Sequence, residues 1–501
     1  MLEPRTMALV RVALDMAGIH AVTIEPRAGG VALALEHASG DRRSAAHDAL
    51  ARQLVVRAGS DEHRFAGQTR TLQLAATPSL EIVLDDELGP VSVATVDVVD
   101  GESRERPDAP RYRLSPFELR YAADAGKLHP VPIGARSSAA ARHDWRPVTD
   151  LHTHFAGCVS GDELVALGVE HGVPYPRSLL EEAKIRVDPA RDVVQLADLG
   201  SVVRQRLAAQ LEVPLDRRIT FLEMERIYRL RAPLTKAPAM FVPLCRAIAG
   251  DYARTGVRHV ELSLGNVVEA RVLRAIHREV PRIERDTGVT MRFLVAISRH
   301  DDPEWDLDLV ERIKSVAGSV YVAGVDFMGH ETNSTAAFAP VIRAIAAWAD
   351  DSRRGFVVRV HAGESPSHPE NVRLALEAVR GHAVELRIGH GLYGVDDATL
   401  AEIVRTGTIV EFNLDSNVAL NHLQSARAVP LRRYVDAGAA VVLGSDGYGI
   451  YRTSPEAAVQ AALVAGLAPS DLRSRLAETE RSWIERARER DRRAEYGGAG
   501  F

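Results

Sequence analysis

The sequence predicts a closed barrel of eight parallel strands alternating with helices, the (β/α)8 or TIM barrel class, preceded by a small α+β domain. Three observations predict it. After Trp145, eight short runs rich in Val, Ile and Leu alternate with helix-like segments, the composition of strands buried on both faces of a parallel sheet. Four short segments bearing His, Asp or Glu each fall where one of these runs ends, as reactive groups do at the carboxyl ends of barrel strands. The runner-up, an open doubly wound sheet, would carry a glycine-rich phosphate loop after its first strand, and Phe155-Ala-Gly-Cys158 is no such loop.

In chain order, residues up to about 132 mix a helix-like stretch over 6–16 with strand-like runs over 21–24, 31–35, 72–74, 81–84 and 91–98. They read as an accessory α+β domain over 1–140 that carries no chemical motif and has no function assigned, its bland reading being a packing or oligomerisation module. The stretch 134–144 is poor in large apolar residues and reads as a linker. The barrel is expected over 146–495, with strands at 148–151, 257–264, 289–297, 320–327, 356–360, 384–388, 408–414 and 439–443. Helix-like segments at 269–286, 307–316, 336–349, 369–379 and 397–406 alternate with them. The connection 155–256 breaks the rhythm by inserting several helices, including 160–171, 193–211 and 238–254. An excursion at this end is placed to cover the mouth and shape substrate choice, or packs on the barrel flank. The charged segment 478–493 reads as a solvated helix and 497–501 as a frayed tail.

Composition excludes several function classes. With 501 residues, 46% of them hydrophobic and 26% charged, the chain can bury a sizeable core. A formal net charge of -6 removes the electrostatic case for a nucleic-acid polymer as partner. Cys158 and Cys245 are too few for a disulfide framework and form no Cys-x-x-Cys pair, so the reducing cytoplasm is expected. The opening Met1-Leu-Glu-Pro-Arg-Thr-Met7 lacks the basic start and apolar core of a signal peptide, and no run is long enough to span a bilayer. No membrane partner is expected.

The four segments are 150–154, 361–364, 387–390 and 444–446. Residues two apart in a strand share a face, so His152 and His154 can both face one ion while Thr153 points away. His361 ends a later strand, and Glu364 follows in a turn holding Gly363. That pairing suits a third neutral nitrogen ligand and a carboxyl group held near the substrate instead of on the metal. His390 ends another strand between two glycines, which permit close approach. Asp446, at the end of the last strand, offers a hard anionic ligand. Three imidazoles and one carboxylate leave room for one water, a set that suits zinc, with iron or manganese as alternatives. The bland alternative, satisfied core histidines and a helix-capping Asp446, needs four independent motifs to fall at strand ends in order by chance. A metal-assisted hydrolase is the reading.

These segments resemble the adenosine deaminase branch of the amidohydrolase superfamily, and the likeness runs from 148 to about 455. The family's opening histidine pair is similar to His152 and His154, its His-Ala-Gly-Glu to 361–364 and its Ile-Gly-His-Gly to 388–391. Softer likenesses lie at 324–331, 411–417 and 430–438. The resemblance implies one zinc ion held by His152, His154, His361 and Asp446. It implies that Glu364 protonates a ring nitrogen, that His390 orients the attacking water, and that Gly329 donates its backbone amide to the purine. The implied reaction is hydrolytic deamination of an aminated purine with release of ammonia. Glu364 must then stay protonated, which predicts a raised pKa in a dry pocket. Many two-metal amidohydrolases bridge their ions with a carbamylated lysine at a strand end. The chain's only lysines, Lys127, Lys184, Lys236 and Lys314, close no candidate strand, so a single metal is expected.

Two positions depart from the family pattern. The Asp that usually follows the metal-binding Asp and contacts the purine imidazole nitrogen is Gly447 here, and the Asp near the ribose 5′-hydroxyl is Ala156. Both departures point away from adenosine itself, toward a related heterocycle with a different sugar or tail, including a phosphorylated one. Arg231, Lys236, Tyr451 and Arg452 are candidates for replacement contacts. Two other readings stand beside deamination: hydrolysis of another C–N bond, as in a cyclic amide or pterin, and a non-catalytic barrel used for binding or assembly. Subunit number is left open.

Overall fold

In this computed structural model the described residues are nine strands within the first 144 residues, and 145–497 apart from 215–217, 300–302, 353–354, 421 and 424–425. The chain divides into two compact units, Met1–Arg142 with Pro214–Arg218, and His143–Val213 with Ile219–Phe501.

The described part of the first unit is antiparallel β structure. One sheet orders Arg70–Ala75, Gly30–His37, Ile19–Arg27, Arg111–Leu114 and Val131–Ile133; the other orders Asp61–Phe65, Gln53–Ala58, Ser79–Asp86 and Gly89–Asp97. All five strand-like runs fall in these strands. Four further strands were not expected. Asp61-Glu-His-Arg-Phe65 shows why: it lacks β-branched residues and forms a strand by pairing Glu62 with Arg57 and Arg64 with Val55. The helix expected over 6–16 and the linker 134–144 lie outside the described residues.

The second unit is the (β/α)8 barrel. Its strands are β1 (Thr149–His154), β2 (His259–Ser263), β3 (Thr290–Ser298), β4 (Val322–Met328), β5 (Val357–Ala362), β6 (Glu385–His390), β7 (Ile409–Phe412) and β8 (Ala440–Leu443). They lie in sequence order, each neighbouring pair parallel. Between β8 and β1 the ring is bridged by the Asp446 amide donating to the His152 carbonyl at 2.8 Å. One interior layer is apolar, formed by Leu151, Leu294, Val357, Ile409 and Val442 with Trp483. Burial on both faces is why these runs read as continuous apolar stretches.

Other interior positions are charged. Arg359 meets Asp326 at 2.6 Å, and Arg387 meets Glu261 at 2.7 Å and Glu411 at 3.0 Å, all five side chains fully buried. Charges withdrawn from water at this depth are tolerated because each is paired.

The helix Ala477–Gly497 corrects the expectation of a solvated segment. Glu480, Trp483, Ala487, Arg490 and Ala494 are buried at spacings of three and four, one helical face. Glu480 accepts hydrogen bonds from the Val148 and Thr149 amides at the start of β1, and Trp483 Nε1 donates to Glu261. This face stoppers the amino end of the barrel. Its charge-rich composition hid it, since only one large apolar residue lies on it.

The long connection after β1 holds helices Gly161–Glu170, Arg177–Glu182, Ser201–Gln210, Phe221–Thr235 and Phe241–Thr255. The helix expected over 193–211 is shorter, because Val193–Gln195 pairs as a strand with Pro174–Pro176 and Gly200 then caps Ser201–Gln210. Phe221–Thr235 is additional to the expected helices. Its start carries a capping box, Thr220 Oγ1 accepting from the Glu223 amide and Glu223 accepting from the Thr220 amide. No described helix is long and apolar enough to cross a membrane.

Candidate active site

Four strand ends bring the reactive side chains together. His152 and His154 close β1, His361 lies in β5, His390 closes β6, and Asp446 follows β8. Because β-strand side chains alternate, His152 and His154 face the same side. Their ring centroids are 5.7 Å apart, and that of His361 lies 4.5 Å from His152 and 5.4 Å from His154. His154 Nε2 lies 3.1 Å from Asp446 Oδ1, and His152 Nε2 lies 3.7 Å from it. Donor atoms of His152, His154, His361 and Asp446 all fall within 4.8 Å of one another.

This donor set fits a cation. His152 Nδ1 lies 2.8 Å from Glu411 Oε2, and His361 Nδ1 lies 3.1 Å from Asp326 Oδ1 and 3.2 Å from the Phe327 carbonyl. Each Nδ1–H therefore donates to an acceptor, which leaves each neutral Nε2 with a bare lone pair. Yet those two Nε2 atoms are 3.0 Å apart. Lone pairs at that distance repel unless a positive charge lies between them. Burial holds His152 well below the ordinary imidazole pKa, so that ring does not supply the charge by taking a proton.

Backbone geometry is forced here. His390 and Asp446 adopt φ of 73° and 58°, left-handed conformations that non-glycine residues keep where the surroundings impose them. Gly389 lies beneath the His152 ring, where a Cβ would come within 2.5 Å of Cε1. Only glycine permits that approach.

Glu364 is buried at the same mouth, its Oε1 3.8 Å from His390 Nε2 and 3.6 Å from His422 Nε2. Burial, then the Asp446 and Glu331 charges, push its carboxyl well above the usual range. Asp446 behaves oppositely: burial raises its pKa, but the His154 hydrogen bond and the surrounding imidazoles hold it at about 2. Two nearby carboxyl groups thus differ in protonation, one an acid and one an anion. Burial drives His390 down to about 3, so it is a neutral imidazole. Its Nδ1 accepts from the Asn417 amide at 3.0 Å, which leaves Nε2–H as a donor toward the mouth.

A cavity of about 960 Å³ opens over these groups. Its walls include His154, His361, Glu364, His390, Asp446 and Gly329, the last just beyond β4 with φ of 109°. The helix Phe221–Thr235 supplies a further wall through Phe221, Met224 and Tyr228, so the insertion shapes the mouth. Ala156, Tyr451 and Lys236 also line it. Arg231 does not act as a replacement contact: it is buried and donates to the carbonyls of Ala156, Leu211 and Val159, a packing role. Arg452 pairs with Glu212 at 3.3 Å and is not among the cavity walls. Gly447 sits against Gly157 and Ile450.

Several groups at the site were not singled out from the sequence. Asp326 and Glu411 orient His361 and His152; their signal was an acid inside an otherwise apolar strand. Glu331 accepts from the Gly363 and Ser365 amides, 2.8 Å each, and so grips the chain on both sides of Glu364. Asp326, Glu331, Glu411 and Asn417 lay within the softer likenesses at 324–331 and 411–417, without a role assigned; Tyr228 and His422 carried no spacing that marks them.

The adenosine deaminase family model matches residues 147–491. A Streptomyces coelicolor protein with a provisional adenosine/adenine deaminase name is 28% identical over 310 residues, covering 60% of this chain and 80% of that one. The adenosine deaminase of Edwardsiella ictaluri is 27% identical over 301 residues, covering 60% and 82%. Among solved structures, Arabidopsis ADAL complexed with GMP is similar with a TM-score of 0.51 at 18% identity, covering 70% of this chain and 96% of that one, a likeness of fold.

Proposed function

Because the chain belongs to the adenosine deaminase family and is a hydrolytic deaminase, we propose that it removes the exocyclic amine of an aminated purine with release of ammonia. The observation that carries this reading is the burial of Glu364, whose carboxyl is pushed well above the usual range, beside the His152, His154, His361 and Asp446 cluster. Those four residues would hold one zinc ion. When bound, the metal lowers the pKa of water toward neutrality and so supplies the nucleophile. Glu364 gives its proton to the ring nitrogen beside the amine-bearing carbon, which makes that carbon electrophilic. The neutral His390 offers Nε2–H to the attacking oxygen and steers it, and the anionic Asp446 takes its proton and passes it to the amine, which leaves as ammonia when the C–N bond breaks. Gly329 turns a backbone N–H toward the substrate ring.

Ala156 and Gly447 favour an aminated purine other than adenosine. The remaining alternative, hydrolysis of a ring C–N bond as in a cyclic amide, would use the same cluster without releasing ammonia. Both are read in one experiment: the zinc-loaded chain is given a panel of aminated purines, pterins and their nucleotides, and ammonia is measured. Ammonia from a purine, abolished by chelator and restored by zinc, is the expected result. Ring opening without ammonia would reject deamination.

A further inference from the structure

Glu364 follows β5, and the strand order puts β1 and β8 across the barrel from it. There Gly157, after β1, and Gly447, after β8, press together: a Cβ on Gly157 would lie 3.2 Å from Gly447 Cα. A Cβ on Gly447 would lie 3.0 Å from Ile450 and 3.1 Å from Gly157 Cα, and its φ of 124° disfavours any side chain. These two positions therefore send no polar group into the cavity. The Tyr228 hydroxyl occupies the same corner, 2.8 Å from where a Gly157 Cβ would stand. Its ring meets His154 edge-on at 6.4 Å, which sets it beside the proposed metal ligands. Tyr451 also lines this wall, but its hydroxyl is directed at the Asp446 carboxylate.

A purine fixes what this corner meets. The amine-bearing carbon lies between two ring nitrogens on opposite edges, N1 in the six-membered ring and N7 in the imidazole, and N7 carries only a lone pair. With N1 at Glu364, N7 turns to the far wall. We propose that Tyr228 is a specificity-determining residue that donates its hydroxyl hydrogen to the imidazole nitrogen of the bound purine. The assignment rests on the deaminase reading above. A phenol is protonated at neutral pH, so the hydroxyl is a donor to a group that can only accept.

The test compares adenosine with 7-deazaadenosine, and adenine with 7-deazaadenine, on the zinc-loaded full chain and on Tyr228→Phe. Wild-type kcat/KM favours the purine over its 7-deaza partner by roughly tenfold, the weight of one hydrogen bond. Tyr228→Phe loses that factor on the purine and nothing on the deaza compound, so the preference disappears. Equal losses on both, or an unchanged preference, overturn the proposal. If neither pair is turned over, the same ratio is read calorimetrically from binding of purine and 7-deazapurine. Failure of the wild-type chain to prefer purine there also overturns it. Ammonia release tests the deaminase reading separately, and Tyr228→Met replaces the phenylalanine variant should that one not fold.

Discussion

Glu364 is an acid because of where it sits. The same carboxyl on a surface would be ionised at neutral pH, but burial and the neighbouring Asp446 and Glu331 charges favour its neutral form. Activity that needs this proton is present below the raised pKa and falls as pH climbs through it. A kcat profile is therefore expected to carry an alkaline limb belonging to Glu364. Glu364→Gln keeps the shape but cannot surrender a proton, so kcat is expected to drop roughly 100-fold to 10,000-fold, and the alkaline limb with it. A variant that kept wild-type kcat would remove Glu364 from the acid role. The motif residues were legible singly, since His-x-His, His-Ala-Gly-Glu and Gly-His-Gly mark themselves by type and spacing. Tyr228 and His422 were not, because they reach the site across 136 and 58 residues of chain from Glu364, and Glu331 was marked only as the end of the likeness at 324–331.

At the scale of elements, the helix Ala477–Gly497 shows how burial follows from one face of a polar sequence. Burial pushes its Glu480 up to about 7, against the opposing hydrogen bonds from Thr149 and Val148. A carboxyl whose folded pKa is raised contributes stability that is complete below its unfolded value, near 4.5, and lost as pH rises toward 7. Wild-type Tm is thus expected to fall between pH 5 and pH 7.5 by more than that of Glu480→Gln. Equal falls in the two proteins would show that Glu480 does not titrate in this window. The helix Phe221–Thr235 starts with a Thr220-x-x-Glu223 box, a signal that the expected helices left out, and nothing in its sequence said that Tyr228 faces a cavity. That is a property of the strand ends it packs over.

For the molecule as a whole, all the proposed catalytic and metal-binding groups lie in the unit His143–Val213 with Ile219–Phe501. A chain beginning at His143 is accordingly expected to keep its zinc stoichiometry and its kcat/KM within about threefold, the range of ordinary context effects on a rate. Elemental analysis and the ammonia assay check this. A chain that folds and binds zinc but loses turnover would place a functional contribution in the first unit, whose packing or oligomerisation role is our expectation from its lack of chemical motifs.

By itself the sequence determined the barrel and singled out the residues proposed as reactive. A strand buried on both faces must be continuously apolar, and a charged group ending such a run needs a chemical reason to be there. Tertiary structure decided the protonation states, the second carboxylates behind His152 and His361, and the occupant of the corner beside Gly447. Those depend on distances between residues remote in the chain, and electrostatic and hydrogen-bond energies are set by distance and desolvation, which no local pattern encodes.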